Sequence, residues 1–166
     1  MIPPRERRWS EGGPETVLPR GDVTEGVVRV GDTVRRPHQA QSWAVAEYLD
    51  HLESVGFDGS PRFLGLDAGG RDVLTFLEGD VAGEILPAWA LTDALLASLG
   101  RFVRRLHEAS VGFAPAEPFP PQSIEQDPFE LVAHLDITPQ NAVVRDGEVV
   151  GGVDFDLAGP TTRLID

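Results

Sequence analysis

The stretch His134-Leu135-Asp136-Ile137-Thr138-Pro139-Gln140-Asn141, followed at short range by Val153-Asp154-Phe155-Asp156, constrains this 166-residue chain more than any other. Between the two, residues 142–150 form two apolar runs around Asp146-Gly147, the strongest short hairpin signal a sequence offers. A hairpin there folds the chain back on itself and returns Asp154 to the neighbourhood of Asp136 and Asn141. Carboxylates gathered in this way repel one another unless positive charge sits between them. A hard cation meets that need, because Mg²⁺ takes one or two carboxylates and completes its shell with waters and phosphate oxygens. Plainer readings exist: His134 as a satisfied histidine at a strand edge, and Asp136 as the cap of a turn. Asp154 resists such a reading. It follows the apolar run of residues 149–153, where an unpaired carboxylate is costly to bury.

Upstream, the pattern gives strands at residues 16–18, 27–30 and 33–36, with a glycine-containing loop from Gly21 to Gly26 and a Gly31-Asp32 turn. Alternation along residues 33–36 puts Val34 and Arg36 on one face and Thr33 and Arg35 on the other. Residues 42–55 have helical spacing, with Trp43, Ala46, Leu49 and Leu52 as the apolar stripe. A second hairpin spans residues 62–76 around Ala68-Gly69-Gly70. Thr92 caps a helix to about Glu108, whose stripe is Leu95, Leu96, Leu99, Phe102, Val103 and Leu106, with His107 as a structural residue. Residues 112–129 are proline-rich and read as an irregular connection.

The charge balance is −13, with a pI near 4.6, which argues against nucleic acid as a partner and suits a cationic one. All 14 basic residues are Arg, so any task that needs a cation falls to arginine. There is no Cys, which excludes disulfides and thiolate chemistry. No apolar core follows the basic residues near Met1 and no run reaches membrane-spanning length, so the expectation is a cytoplasmic protein that does not engage a membrane.

The motif of residues 134–141 with Asp154 beyond a hairpin resembles the catalytic core of protein kinases and, more closely, the aminoglycoside phosphotransferase family. That resemblance implies an α+β, protein-kinase-like fold. A loosely attached segment (1–14) precedes a small antiparallel-sheet lobe with one helix (15–76). A hinge (77–81) then leads to a truncated helical lobe (82–166) carrying the catalytic loop and hairpin. It implies transfer of the γ-phosphoryl group of ATP or GTP, with Mg²⁺, to a hydroxyl of a small molecule such as an aminoglycoside-like or amino-alcohol acceptor. Asp136 would be the catalytic base and Asn141 and Asp154 the metal ligands; His134 would brace the loop. Gly21 and Gly26 would belong to the loop over the phosphates. Arg36 stands where relatives carry a phosphate-binding lysine, and Glu47 lies two residues from the position of its usual helix partner. Asp156 receives no fixed role.

Relatives of that family continue past the position of Asp166 into helices that build the acceptor site. The expectation is therefore a shortened second lobe, with the helix from Thr92 partly exposed and inviting self-association. Two rivals stand beside the enzyme: a non-catalytic nucleotide-binding remnant, and a metal-dependent phosphoester hydrolase with His134, Asp136, Asp154 and Asp156 as ligands.

Overall fold

The computed structural model describes residues 9–18, 26–83, 85–116, 119 and 129–166. Five strands build one antiparallel sheet: β1 (Thr16–Val17), β2 (Val28–Val30), β3 (Thr33–Arg36), β4 (Phe63–Leu66) and β5 (Asp72–Thr75). Their order in space is β1-β2-β3-β5-β4. The inversion of β4 and β5 has a local cause. Helix α1 (Ser42–Ser54) carries the chain from β3 to the far edge, and the turn closed by Gly70 N–H on the Asp67 carbonyl brings β5 back between them. This return sets Asp72 directly across from Arg36.

Helix α1 buries Ala46, Leu49 and Leu52 as its spacing predicts, together with Val45 and Tyr48. Trp43 departs from the expected stripe. It remains 40% exposed in the first turn, its indole edge-on to His38 and Phe63. Helix α2 (Asp93–Ser110) is capped by Thr92, whose Oγ1 accepts from Leu95 N–H at 3.2 Å. Leu95, Phe102 and Leu106 face the core, but Leu96 is 68% exposed. Neighbouring residues lie about 100° apart around a helix, so Leu95 and Leu96 do not share this narrow buried face.

Residues 129–166 are less helical than expected. Strand β6 (Leu131–Ala133) pairs with β9 (Gly159–Thr161), and β7 (Ala142–Arg145) pairs with β8 (Glu148–Gly152). The runs here are three to five residues long, too short for helices, and each satisfies its backbone by pairing with another. The β7–β8 turn is the expected one. Asp146 (φ 53°) and Gly147 (φ 78°) both take the left-handed conformation that a tight hairpin needs.

Where it is described, the segment before β1 is docked. Ser10 C=O accepts from Arg35 at 2.9 Å, Glu11 accepts from Ala68 N–H at 3.2 Å, and the Trp9 ring lies on Gly65. A Cβ at Gly65 would come within 2.9 Å of that ring. The expected hinge is also pinned: Asp80 and Val144 exchange two backbone hydrogen bonds of 2.8 Å. Gly79 permits this approach, since a Cβ there would sit 2.7 Å from the Val144 carbonyl oxygen. Both helices, the β7–β8 hairpin and Phe155 contribute to one hydrophobic core. Among the described residues no helix is long and apolar enough to cross a membrane.

Candidate functional site

The loop from His134 to Asn141 leaves β6 with its first residue locked. The His134 ring is fully buried, 4.4 Å from the Phe155 ring, and its Nε2 donates to the Val153 carbonyl at 2.9 Å. Burial pulls the imidazole pKa down, against the Val153 carbonyl and the carboxylates of Asp166 and Asp136, which push it up. The lowered value favours the neutral form. That hydrogen bond ties the start of the loop to the strand end preceding Asp154.

Leu135 then takes φ 63°, a left-handed conformation unusual for a residue with a bulky side chain. Its N–H donates to the Asp166 carboxylate at 2.6 Å, and the other oxygen of Asp166 accepts from His107 Nε2 at 2.7 Å. His107 is thus fixed by Asp166, a residue that carries no motif signal of its own. Asn141 closes the loop. Its Nδ2 donates to the Asp136 carbonyl (3.0 Å) and to Asp136 Oδ2 (2.8 Å), so the base candidate and a ligand candidate are hydrogen-bonded to each other. Val153 N–H donates to the Asn141 carbonyl at 2.9 Å, joining the two ends of the hairpin.

Asp154 has φ 63° and ψ 61°, a second strained position at the same place. Its carboxyl is pushed up to about 6, first by burial and then by the negative charge of Asp156, with Asp136 adding to the effect and Arg36 opposing it. Asp156 is buried and pairs with Arg36, which reaches over from β3 across 120 residues of sequence. On its other side Arg36 Nε lies 3.6 Å from Asp72 Oδ2. Asp136, Asn141, Asp154, Asp156 and Arg36 thus share one neighbourhood.

Other sequence candidates fall elsewhere. Gly26 is exposed, with φ 82°, and lies against Pro37, next to Arg36. Gly21 is outside the described residues. Glu47 does not meet Arg36 among the contacts seen here; it accepts from Ala116 N–H at 3.0 Å. The carboxylates beside Arg36 are Asp72 and Asp156; the sequence singled out Asp156 without a fixed role and gave Asp72 none. Asp72 meets Arg36 through the cross-strand register, which sets the first residue of β5 opposite it.

The donor set suits a hard divalent cation in part. Burial first, and then the charge of Asp156, make the Asp154 carboxyl hold its proton to about pH 6 despite the Arg36 guanidinium. Asn141 spends its Nδ2 on Asp136, and its Oδ1 accepts from no described residue. Among the described residues, however, no group of three or more His, Asp or Glu side chains stands ready to enclose an ion.

The described residues thus form a small mixed α/β protein, an antiparallel sheet with two helices, holding a buried Arg–Asp pair beside a strained acidic loop. No family model matches the sequence. The chain is similar to the trifolitoxin immunity protein of Rhizobium leguminosarum bv. trifolii, with 33% identity over 150 residues, covering 84% of this chain and 54% of that protein. It therefore spans about half the length of this curated relative. Among solved structures, the macrolide 2'-phosphotransferase MphH of Brachybacterium faecium, an apoenzyme, aligns at 14% identity with a TM-score of 0.43. That alignment covers 84% of this chain and 64% of the other.

Proposed function

We propose that the chain carries the donor half of a phosphotransferase site, moving the γ-phosphoryl group of ATP or GTP to a hydroxyl of a small molecule. One observation carries the reading: Arg36 is brought from β3 to Asp156, two residues beyond Asp154 and beside the Asp136–Asn141 pair. A guanidinium grips phosphate oxygens, a carboxylate and a carboxamide can hold a metal, and a second carboxylate can take a proton. When bound, Mg²⁺ would supply charge neutralisation on the donor phosphates, held by Asp154 and Asn141. Arg36 would steady those phosphates from the sheet side. Asp136, kept in place by Asn141, would orient the acceptor hydroxyl and accept its proton as the new O–P bond forms and the nucleoside diphosphate leaves with the bonding pair. A cationic acceptor would suit the acidic chain.

The immunity protein favours a related second reading, protection from a toxic molecule. Phosphorylating a hydroxyl of such a molecule would unite the two; binding without turnover would serve the non-catalytic alternative. The hydrolase reading has less support. His134 is fully buried with Nε2 spent on a carbonyl, and no three-ligand group occurs among the described residues.

Titration calorimetry with Mg-ATP and Mg-GTP tests the proposal. The wild-type chain is expected to bind at least one of them; Asp154→Ala should abolish metal-dependent binding, and Asp136→Ala should leave it nearly intact while cutting turnover by roughly 10²–10⁴-fold. Absence of binding at millimolar nucleotide would sink the reading. Equal loss of binding in both variants would return weight to the hydrolase.

A further inference from the structure

Arg36 is held from two sides, and only one of them belongs to the acidic motif. Its Nη2 meets Asp156, whereas its Nε is buried without a hydrogen-bond partner and faces Asp72 Oδ2 at 3.6 Å. Asp72 is itself only 3% exposed, so its charge acts where water screens little. Three further elements fix that carboxylate. His38 Nδ1, from the turn after β3, donates to Oδ1 at 2.6 Å; Ser42 Oγ, in the first turn of α1, donates to Oδ2 at 2.6 Å; and β5 carries its backbone opposite Arg36. The Ser42 hydroxyl also accepts from Gln39 N–H at 2.9 Å, which fixes its rotamer. With Nη2 bonded to Asp156 and Nε turned toward Asp72 without a hydrogen bond, Nη1 is the corner of the guanidinium that faces neither carboxylate among the described contacts.

We infer that Asp72, seated by His38 and Ser42, is a positioning residue that aims the Arg36 guanidinium at a bound phosphate. The inference rests on the reading of Arg36 as a phosphate-binding group, and it explains why an arginine facing two carboxylates does not fold flat onto one of them. Asp156 holds one side of the fork, Asp72 attracts it from another, and the free corner stays available. If Asp156 exchanges its hold for a phosphate, Asp72 keeps the side chain from following.

The test is a double-mutant cycle on Arg36 and Asp72, read in two ways on the same proteins. The first readout is the dissociation constant for whichever of Mg-ATP and Mg-GTP the wild type binds. Asp72→Asn should weaken binding about tenfold in the wild-type background and not at all in an Arg36→Met background. Asp72→Glu, which keeps the charge, should restore most of the affinity. Loss of equal size in both backgrounds, or no rescue by Glu, would assign Asp72 to structure alone and overturn the inference. The second readout is the urea midpoint without ligand. Asp72→Asn should shift it less in the Arg36→Met protein than in the wild type; additive shifts would overturn the ion pair. Should wild type bind neither nucleotide, the proposed function fails, while the urea cycle still decides whether Asp72 fixes Arg36.

Discussion

Two adjacent arginines on β3, Arg35 and Arg36, are both buried, on opposite faces of one strand, and they are treated in opposite ways. Arg35 is saturated. It donates to Thr33 Oγ1 at 2.5 Å and to the Ser10 carbonyl at 2.9 Å, and its Nε lies 3.7 Å from Asp67. Asp67 is satisfied in turn by Gly69 N–H, Arg71 N–H and Arg71 Nε, all at 2.8–2.9 Å. Burial works to raise the Asp67 carboxyl, but the hydrogen bonds from Arg71 and Gly69 outweigh it and hold the group below its ordinary value. Across the strand, Arg36 keeps an unpartnered Nε, and the nearby Asp154 is raised to about 6. On one face donors hold the carboxylate down; on the other, burial and a neighbouring carboxylate push one up. A carboxylate whose hydrogen bonds are met stabilises a fold, whereas one left raised is what a metal or substrate can engage.

The contrast breaks most sharply when each arginine is removed in turn. Arg36→Met should lower any nucleotide-dependent turnover by roughly 10²–10³-fold, the usual loss when one charge-stabilising donor is taken from a site. Arg35→Met should leave turnover per folded molecule within about threefold, because its contacts all lie on the other face. Coupled release of nucleoside diphosphate, normalised to folded protein, measures both. Similar losses in the two variants would dissolve the distinction.

Local structure should divide the other way. Arg35→Met leaves the Ser10 carbonyl and Thr33 hydroxyl without their partner and weakens the hold on Asp67, a loss of about 3 kcal/mol. It should also release the docked segment around Trp9, Ser10 and Glu11, raising hydrogen exchange in the β4–β5 turn that Glu11 covers. Arg36→Met leaves the buried Asp72 and Asp156 carboxylates without their cation, a cost of the same order as for Arg35→Met. Hydrogen exchange separates the two: it should rise in the β4–β5 turn of Arg35→Met and stay unchanged there in Arg36→Met, and equal increases in both would mean that the docked segment does not depend on Arg35.

How much of this was legible in the sequence follows from the range of each interaction. The β7–β8 hairpin was readable because Asp146-Gly147 supplies both left-handed positions locally. The bounds of α1 and β3 were readable from periodicity and from Pro37, which cannot donate to a ladder. The return of Asp154 toward Asp136 followed from the hairpin. Asp72 and Asp156 as partners of Arg36 were not readable. The first needs the cross-strand register and the second the packing of β3 against a segment 120 residues away. Nor was the β6–β9 pair, whose three-residue strands carry no periodic signal. Arg35 was legible only as facing away from Arg36; that the segment before β1 would cover it depends on a tertiary contact with Ser10.

The remaining prediction uses the two carboxylates themselves. Asp154 is raised in the fold, from an ordinary value of 3.8 to about 6, so the metal-free folded protein holds a proton there that the unfolded chain has already released. Between those values the folded state binds more protons, and stability must fall as pH rises through that window. Above pH 6 the folded protein carries the ionised carboxylate at a cost on the order of 2 kcal/mol, reduced from the full linkage because the side chain is partly hydrated and shares its charge field with Asp156. Asp154→Asn removes the charge and keeps the shape. In EDTA, its urea midpoint should exceed wild type at pH 7.5 and approach it at pH 4, where both side chains are neutral. Asp67 gives the opposite sign: its carboxyl is lowered, so Asp67→Asn should cost most at pH 7.5 and progressively less as acid protonates the wild-type group. An Asp154→Asn midpoint below wild type at pH 7.5 would show that this carboxylate is satisfied in the free protein after all, and the difference between the two faces of β3 would not hold.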